Sequence, residues 1–510
     1  MPIHLINSIA SWLIKKRLHE IELFIKYPIE VQQEWLVELV QTAKDTEFGQ
    51  LYHFDEIENY RSFTEHIPLQ DYESLKPYII RNRKGEQNLL WPTEILWFAK
   101  SSGTTDKSKF IPVSQQTLEE CHYNGGKDMI ALYINNYENS QLFTGKNLAL
   151  GGTWKVFETE NHQSYYGDVS AIIIQNLPLW AEFFRSPATE IALMDEWEQK
   201  LELLAETMKD ENVVSIAGVP SWMLVLLKKI IKKKNASYIS DVWPNLEVYF
   251  HGGINYEPYR QNFQEIFGHH KVNLVQLYNA SEGFFAIQDR KDADDMLLML
   301  DYGIFYEFIP EEYFDKEEKK TINLEDVELH KTYSMVISTT SGLWRYQIGD
   351  TIQFTSLNPF RIKIVGRTKH YINAFGEELM VHNTDEAIAE ACRITKAIIK
   401  DYTVAPIFMS QTAGAHQWII EFEKPPNDIE YFTYILDNTL KEKNSDYEAK
   451  RYNDYVLSKP QIVIAPQNTF YQWLKKHNKL GGQNKVPRLS NNRNFVEELL
   501  QIINEIKNNT

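Results

Sequence analysis

The chain has 510 residues, 43% of them apolar, with 53 Lys and Arg against 70 Asp and Glu, a formal net charge of −17. That apolar share can bury a sizeable core, and length alone gives a prior of about three units of roughly 150 residues each. The acidic balance disfavours nucleic acid and anionic membranes as partners, while a small anionic ligand in a locally basic cleft stays compatible with it.

Two cysteines, Cys121 and Cys392, stand far apart without C-x-x-C spacing. This reads as a reducing compartment and two small core residues rather than a disulfide framework or a thiolate metal site. The first stretch, "MPIHLINSIASWLIKKRLHE", places its lysines after the apolar run, the reverse of a secretory signal, so an amphipathic helix and a cytoplasmic location are expected. No window approaches the roughly 18 uninterrupted apolar residues of a membrane span.

From Ile3 to about Ala43 apolar positions recur at three and four residues, a helical pattern broken at Pro28. Short apolar runs bounded by turn residues follow and predict strands: "ILWFAK", "NLALGG", "VVSIAGVP", "LEVYFHGG", "VNLVQLYNASEG", "TYSMVISTT" and "IKIVGR". Helical patterns at Ile191–Asp210 and Ser221–Lys234 lie between them, an interleaving that calls for an α/β fold. Lys228, Lys229, Lys232, Lys233 and Lys234 read as a helix end complementing its dipole rather than as an anion site. After "IVGRTKHYINAFGEELM" a helix is expected over Asp385–Lys400, then strands around Ile407 and "HQWIIEFEKPP", a helix, the strand "PQIVIAP" and a last helix from Phe495. This predicts a large domain over 1–366 and a small α+β domain over 367–510, joined near Arg367 to Lys369.

Four segments carry chemistry. "AKSSGTTDKSKFIPVS" runs a strand into a Ser/Gly/Thr turn at Ser101, Ser102, Gly103, Thr104 and Thr105, whose N–H groups and hydroxyls form an anion-holding concavity to which Lys109 adds a point charge. It is not a Walker sequence. "HGGINYEPY" places Gly252 and Gly253 after a strand, where a ligand can approach the backbone or the chain can simply turn tightly. In "QLYNASEGFFA", Tyr278 can stack on a purine or pack in the core, and Ser281 and Glu282 follow in a turn; Glu282 can hold magnesium or an amine, or cap a helix. "GLWRYQIGD" offers Asp350 as acceptor for both hydroxyls of a ribose, and Arg367 can close over the same sugar or a phosphate.

Together and in this order the segments resemble the adenylate-forming superfamily of acyl-CoA synthetases, luciferases and peptide-synthetase adenylation domains. The closer resemblance is to its Gretchen Hagen branch, the acyl acid amido synthetases known from auxin-responsive plant genes and also found in bacteria. "SSGTTDKSKFIPVS", "YNASEGFF", "LWRYQIGD" and "GGQNKVPRLS" select that branch, and "TEFGQLYHF" and "IPLQDYESLKPYI" extend the likeness over nearly the whole chain. The resemblance implies a large N-terminal adenylate-forming domain with mixed sheets flanked by helices, plus a small mobile C-terminal α+β domain. It implies ATP and magnesium, with a small carboxylic acid and an amine, commonly an amino acid, as partners; no nucleic acid, membrane or protein partner is implied.

Carried over by motif, Ser101 to Thr105 and Lys109 would hold phosphates, with Gly252 and Gly253 near the ligand. Tyr278 would stack on adenine, Ala280 to Glu282 would flank base and metal, Asp350 and Arg367 would bind ribose, and Lys485 would reach the α-phosphate and carboxylate. Lys485 and Glu282 would be the catalytic residues, and Glu282 would be the magnesium ligand. Asp106 stands where the wider superfamily has a second glycine, and Glu378 where plant members often have lysine. Two rival readings remain: an acyl-CoA ligase, and a nucleotide-binding protein without turnover. The expected acyl lining, among Gly151–Trp154, Gly218–Met223 and Ile254, is apolar and aromatic without a diagnostic charge. Trp154, Trp222 and Phe284 point to a flat or hydrophobic acid, or to plain core.

Overall fold

The computed structural model describes residues 17–101, 109–253, 256, 259–314, 316–367, 371–372, 374–375, 377, 379–408, 413–451, 454, 457–480, 485–490 and 492–508. The chain forms two compact units rather than the three that length alone gives. The first comprises Met1–Val219, Leu226–Gly253 and His269–Ile364; the second comprises Pro220–Val225, Ile254–Gly268 and Val365–Thr510.

The opening helical pattern breaks where proline requires it. Residues 17–26 are helical, and a second helix, Pro28–Ala43, has Pro28 in its first turn, where no N–H is needed. The strands follow: β1 (Trp97–Ser101), β2 (Lys109–Val113), β3 (Lys146–Ala149), β4 (Trp154–Glu158), β5 (Gln163–Gly167), β6 (Arg185–Ser186), β7 (Val213–Gly218) and β8 (Val248–His251). Next come β9 (Asn273–Ala280), β10 (Gly283–Ile287), β11 (Met296–Leu298), β12 (Ile304–Pro310), β13 (Thr332–Thr339), β14 (Tyr346–Leu357) and β15 (Phe360–Arg367). The chain ends its strands with β16 (Tyr371–Ile372), β17 (Leu379–Met380), β18 (Ile398–Ile407), β19 (Ala415–Lys424) and β20 (Gln461–Ala465).

A four-stranded sheet, β2-β1-β5-β4, lies in the first unit beside an eleven-stranded sheet ordered β12-β13-β14-β15-β11-β10-β9-β8-β7-β3-β6. The large sheet is mixed: β9, β8, β7, β3 and β6 run parallel, whereas β9-β10-β11-β15 and β12-β13-β14 pair antiparallel. Its parallel strands have the unbroken apolar runs of strands covered on both faces; Val213, Val214, Ile216, Val248, Tyr249 and Phe250 are all buried.

Two helix boundaries depart from the sequence pattern, each for a local reason. Ile191–Asp210 is not one helix but Thr189–Ala192 followed by Trp197–Met208, because the Glu196 side chain accepts from the N–H groups of Glu198 and Gln199 and caps a new start. The helix expected over Asp385–Lys400 spans Val381–Thr395; Lys396 turns left-handed at φ +59° and Ile398 opens β18. The lysine-rich helix Pro220–Lys234 does end in lysines, and three of them are ion-paired: Lys229 and Lys233 with Glu202, Lys233 also with Glu206, and Lys234 with Asp210.

The second unit is an α+β layer in which β18 pairs antiparallel with β19 and β19 parallel with β20, packed with the helices Val381–Thr395 and Ile429–Lys443. Tyr402 and Trp418 stack within its core at 5.7 Å. Among the described residues no helix is long and apolar enough to cross a membrane.

The motif "GLWRYQIGD" is anchored from within. At Gly342, φ is +81° and a Cβ would lie 2.7 Å from the Leu90 carbonyl oxygen, so the turn requires glycine. Trp344, fully buried, donates its indole N–H to that same carbonyl at 3.0 Å. Arg345 adopts φ +43°, rare for a residue with a Cβ. Its guanidinium donates to the Glu307 carboxylate at 2.8–3.1 Å, to the Ile67 carbonyl at 2.5 Å and to Thr321 Oγ1 at 2.7 Å. The two side chains are 6% and 1% exposed. Removing one partner strands a buried charge. Arg345→Met is therefore expected to lose about 3–5 kcal/mol of stability, read as a fall in the urea midpoint; a midpoint within error of wild type contradicts this.

Candidate active site

Four neighbouring parallel strands, β3, β7, β8 and β9, end at one edge of the large sheet, and each runs into a special turn. Leu150–Gly151–Gly152 follows β3, Gly218 closes β7, Gly252–Gly253 follows β8, and Ser281–Glu282 follows β9. The register places Ala149 opposite Ala217 and Gly218 opposite His251, so the turns after β3, β7 and β8 lie side by side, while β9, with Gln276 opposite His251, runs four residues further to Ala280 before it turns. In α/β sheets this carboxyl edge is where ligands bind. A Cβ on Gly252 would sit 2.6 Å from the Leu277 carbonyl oxygen, and Gly253 has φ +79°, so this turn needs both glycines. The tight turn against β9 accounts for both glycines.

Tyr278, near the end of β9, donates its hydroxyl to Asp350 Oδ2 on β14 at 2.7 Å, and both residues are buried. Three strands, β10, β11 and β15, separate β9 from β14 in the sheet order. In a flat sheet four spacings amount to ~19 Å. A direct hydrogen bond therefore requires the sheet to curl until the third and fourth motifs meet. The Tyr278 ring also packs on Phe285, with centroids 4.8 Å apart.

Ser281 and Glu282 form the two-residue connection of a hairpin in which Ala280 pairs with Gly283. No helix starts there, so Glu282 is not a helix cap. It is a carboxylate held 7% exposed, beside Ser281 at 5%. Phe284 belongs to the core: its N–H meets Cys121 Sγ at 3.1 Å and its ring lies against Tyr302. Burial pushes the thiols of Cys121 and Cys392 up to about 12, which fits two inert cysteines. Trp154, from the expected acyl lining, packs edge-on against Trp97 and Tyr165.

The first motif is a hairpin. β1 and β2 pair antiparallel with Ser101 opposite Lys109; Ser102, Gly103, Thr104, Thr105 and Asp106, between them in sequence, lie outside the described residues. Lys109 Nζ lies 5.7 Å from the centre of the Tyr72 ring. Beyond β2, a buried hydroxyl network ties this motif to the turn preceding β14. Ser114 N–H donates to Ser341 Oγ at 2.9 Å, Ser114 Oγ to the Thr340 carbonyl at 2.7 Å, and Thr117 Oγ1 bonds Thr340 Oγ1 and Ser341 Oγ at 2.8 and 2.6 Å. The only hint in the sequence is the density of Ser and Thr in "PVSQQT" and "STTSG".

Arg367 closes β15 and, like Lys485, belongs to the second unit. Ile254 and Glu378 lie outside the described residues. Lys485 is exposed and begins a segment laid along β18: Val404 N–H donates to the Arg488 carbonyl at 2.8 Å and Ser490 N–H to the Val404 carbonyl at 3.1 Å. Arg488 anchors that segment. Its guanidinium pairs with Asp401, donates to the Tyr402 carbonyl at 2.8 Å and to Tyr259 Oη at 2.7 Å, and lies over the Tyr402 ring. The arginine stands in the quoted motif, three residues after Lys485, yet nothing in the sequence alone separates it from a solvated side chain. Among the described residues no three His, Cys, Asp or Glu side chains are grouped to hold a metal ion.

The Tyr278 hydroxyl is testable by itself. Tyr278→Phe keeps the ring and deprives the buried Asp350 of that donor, so a stability loss of about 1–3 kcal/mol is expected in urea unfolding; no loss contradicts the bond.

Comparison with known proteins places the chain in a family. The chain matches the GH3 family N-terminal domain over residues 17–272, the central domain over 297–367 and the C-terminal domain over 382–494. It is similar to indole-3-acetic acid-amido synthetase GH3.3 of Arabidopsis thaliana, at 22% identity over 90% of this chain and 89% of that one. It is also similar to 4-substituted benzoates-glutamate ligase GH3.12 of Arabidopsis thaliana, at 22% identity over 90% and 92%. In fold it resembles the solved structure of AtGH3.15 acyl acid amido synthetase in complex with 2,4-DB, with a TM-score of 0.79 over 96% of each chain at 18% identity. The N-terminal domain match alone covers half of the sequence, and on that basis the chain belongs to the GH3 family.

Proposed function

We propose that this protein is an ATP-dependent acyl acid amido synthetase, which adenylates a carboxylic acid and passes the acyl group to an amine, in the first instance an amino acid. The observation that carries this reading is the Tyr278–Asp350 bond. It joins two motifs 72 residues apart at the curled sheet, in a chain that matches all three domains of the family.

In the first step a carboxylate oxygen attacks the α-phosphorus of ATP. A new oxygen–phosphorus bond forms, the bond to the bridging oxygen breaks, and pyrophosphate leaves with the electron pair. In the second step the amine nitrogen attacks the acyl carbonyl carbon, the bond to AMP breaks, and the nitrogen gives up a proton. Ser101 to Thr105 and Lys109 are assigned to the phosphates, the Gly252–Gly253 turn to close backbone approach, Tyr278 and Ala280 to the adenine, and Asp350 and Arg367 to the ribose. Magnesium takes one or two protein carboxylates together with phosphate oxygens. Glu282, with Ser281 beside it, is the carboxylate this motif supplies, and the ion would neutralise phosphate charge when bound.

The first step brings two anions together, so positive charge is needed where the transition state concentrates negative charge. Lys485, in the proposed small domain over 367–510, is assigned that role. The named relatives act on indole-3-acetic acid and 4-substituted benzoates. With an expected lining free of diagnostic charge, an aromatic or hydrophobic acid is the substrate class proposed here.

ATP–pyrophosphate exchange across a panel of such acids, followed by product mass spectrometry with the twenty amino acids and coenzyme A as acceptors, tests the reading. Acid-dependent exchange and an amide product are expected; a thioester product would instead identify an acyl-CoA ligase, and no exchange with any acid would leave a nucleotide binder. Lys485→Ala is expected to fold normally and to lose about 100- to 1000-fold in exchange rate. A normal rate would remove Lys485 from the chemistry.

A further inference from the structure

The four residues Leu150–Thr153 carry the chain from β3, in the large sheet, to β4, in the small sheet that bears the β1–β2 hairpin. The strap is thus the shortest chain connection between the large sheet, with its carboxyl-edge turns, and the small sheet. Its backbone is held by backbone groups at both ends, Leu150 N–H donating to the Ala217 carbonyl and Asp168 N–H to the Thr153 carbonyl, and between them by side chains from other elements. Gly152 N–H donates to Ser170 Oγ at 3.0 Å and Thr153 N–H to Asp168 Oδ2 at 2.9 Å. Lys200, on the helix Trp197–Met208, donates its ammonium to the carbonyls of Gly151 and Gly152 at 2.6 and 3.1 Å. There is no slack: a Cβ on Gly152 would sit 1.9 Å from Asp168 Oδ2, and one on Gly151 2.6 Å from Ile174 Cδ1.

Lys200 has 0% exposure, and a buried ammonium is costly to keep unless it has work that an apolar residue cannot do. We propose that Lys200 is a positioning residue for the acyl acid: it touches no substrate, and its two carbonyl bonds hold the Gly151–Gly152 strap at the spacing that lets the acid reach the nucleotide. This rests on the functional reading above and adds a residue that the motifs leave out.

The surroundings make the clamp sensitive to pH. Burial pushes the Lys200 amine down to about 8, against the carboxylates of Asp168, at the start of the helix Val169–Gln175, and Asp195, ahead of its own helix, which favour the charged form. Asp195 is itself paired with Lys155 on β4 at 3.5 Å, and the Trp197 ring lies 5.5 Å from Lys200 Nζ. A lysine with a lowered pKa keeps its charge below about pH 8 and loses it above, so the clamp is charge-assisted at neutral pH and weakens as pH rises.

The test is acid-dependent ATP–pyrophosphate exchange between pH 6.5 and 9.5 for wild type and Lys200→Met, with benzoate, 4-hydroxybenzoate or indole-3-acetate, whichever exchanges fastest, as probe. In wild type the KM for the acid is expected to rise about tenfold through pH 8 while the KM for ATP stays within about twofold. Lys200→Met is expected to show the high acid KM at every pH, with a flat profile. A wild-type acid KM in Lys200→Met, or a wild-type profile flat through pH 8, overturns the assignment. Should Lys200→Met not fold, the wild-type profile alone decides. Wild-type exchange with none of a broad acid panel would instead overturn the functional reading, and this inference with it.

Discussion

The hydrogen bond from Tyr278 to Asp350 is the constraint on which the rest of the site depends. It is short, buried, and made by residues on strands that a flat sheet would hold far apart. Curling the sheet to make it gathers two motifs into one place, while the hydroxyl network from Ser114 and Thr117 to Thr340 and Ser341 draws in the hairpin of the first motif. The parallel half of the sheet then contributes its carboxyl edge, where Gly218, Gly252 and Gly253 keep the turns low. Packing, rather than any single reactive group, brings Tyr278 and Asp350 together.

Cations anchor the segments that carry chemistry. Arg345 braces "GLWRYQIGD" against Glu307, and Arg488 pins the Lys485 segment to β18 through Asp401 and Tyr259. Each is enclosed by acceptors, because a buried guanidinium is tolerated only where its donors are met. Within such motifs an arginine a few residues from the candidate side chain holds the backbone in place.

Much of the fold was readable because its signals are local. Unbroken apolar runs ending in glycine marked β7 and β8, Pro28 marked the helix break, and the order of motifs gave the family. Glu282 was read correctly as a turn residue, but the helix-cap alternative could be dismissed only once β10 was seen to follow at Gly283. Lys200, Arg345 and Arg488 escaped notice since their meaning lies in partners 49, 38 and 87 residues away. A lysine within an amphipathic helix looks solvated until the strap it grips is known. The misplaced helix ends have the same origin: the Glu196 cap and the left-handed Lys396 are decided by backbone geometry that apolar periodicity does not encode.

The central claim is that an acid carboxylate becomes bonded to the α-phosphorus of ATP in this site. Isotope transfer tests it most directly: the acid is supplied with both carboxylate oxygens as oxygen-18, and the nucleotide product is analysed by mass spectrometry after conjugation to an amino acid. The account predicts AMP carrying one oxygen-18 atom and unlabelled pyrophosphate. Unlabelled AMP, or label in a phosphate or pyrophosphate product, would contradict it.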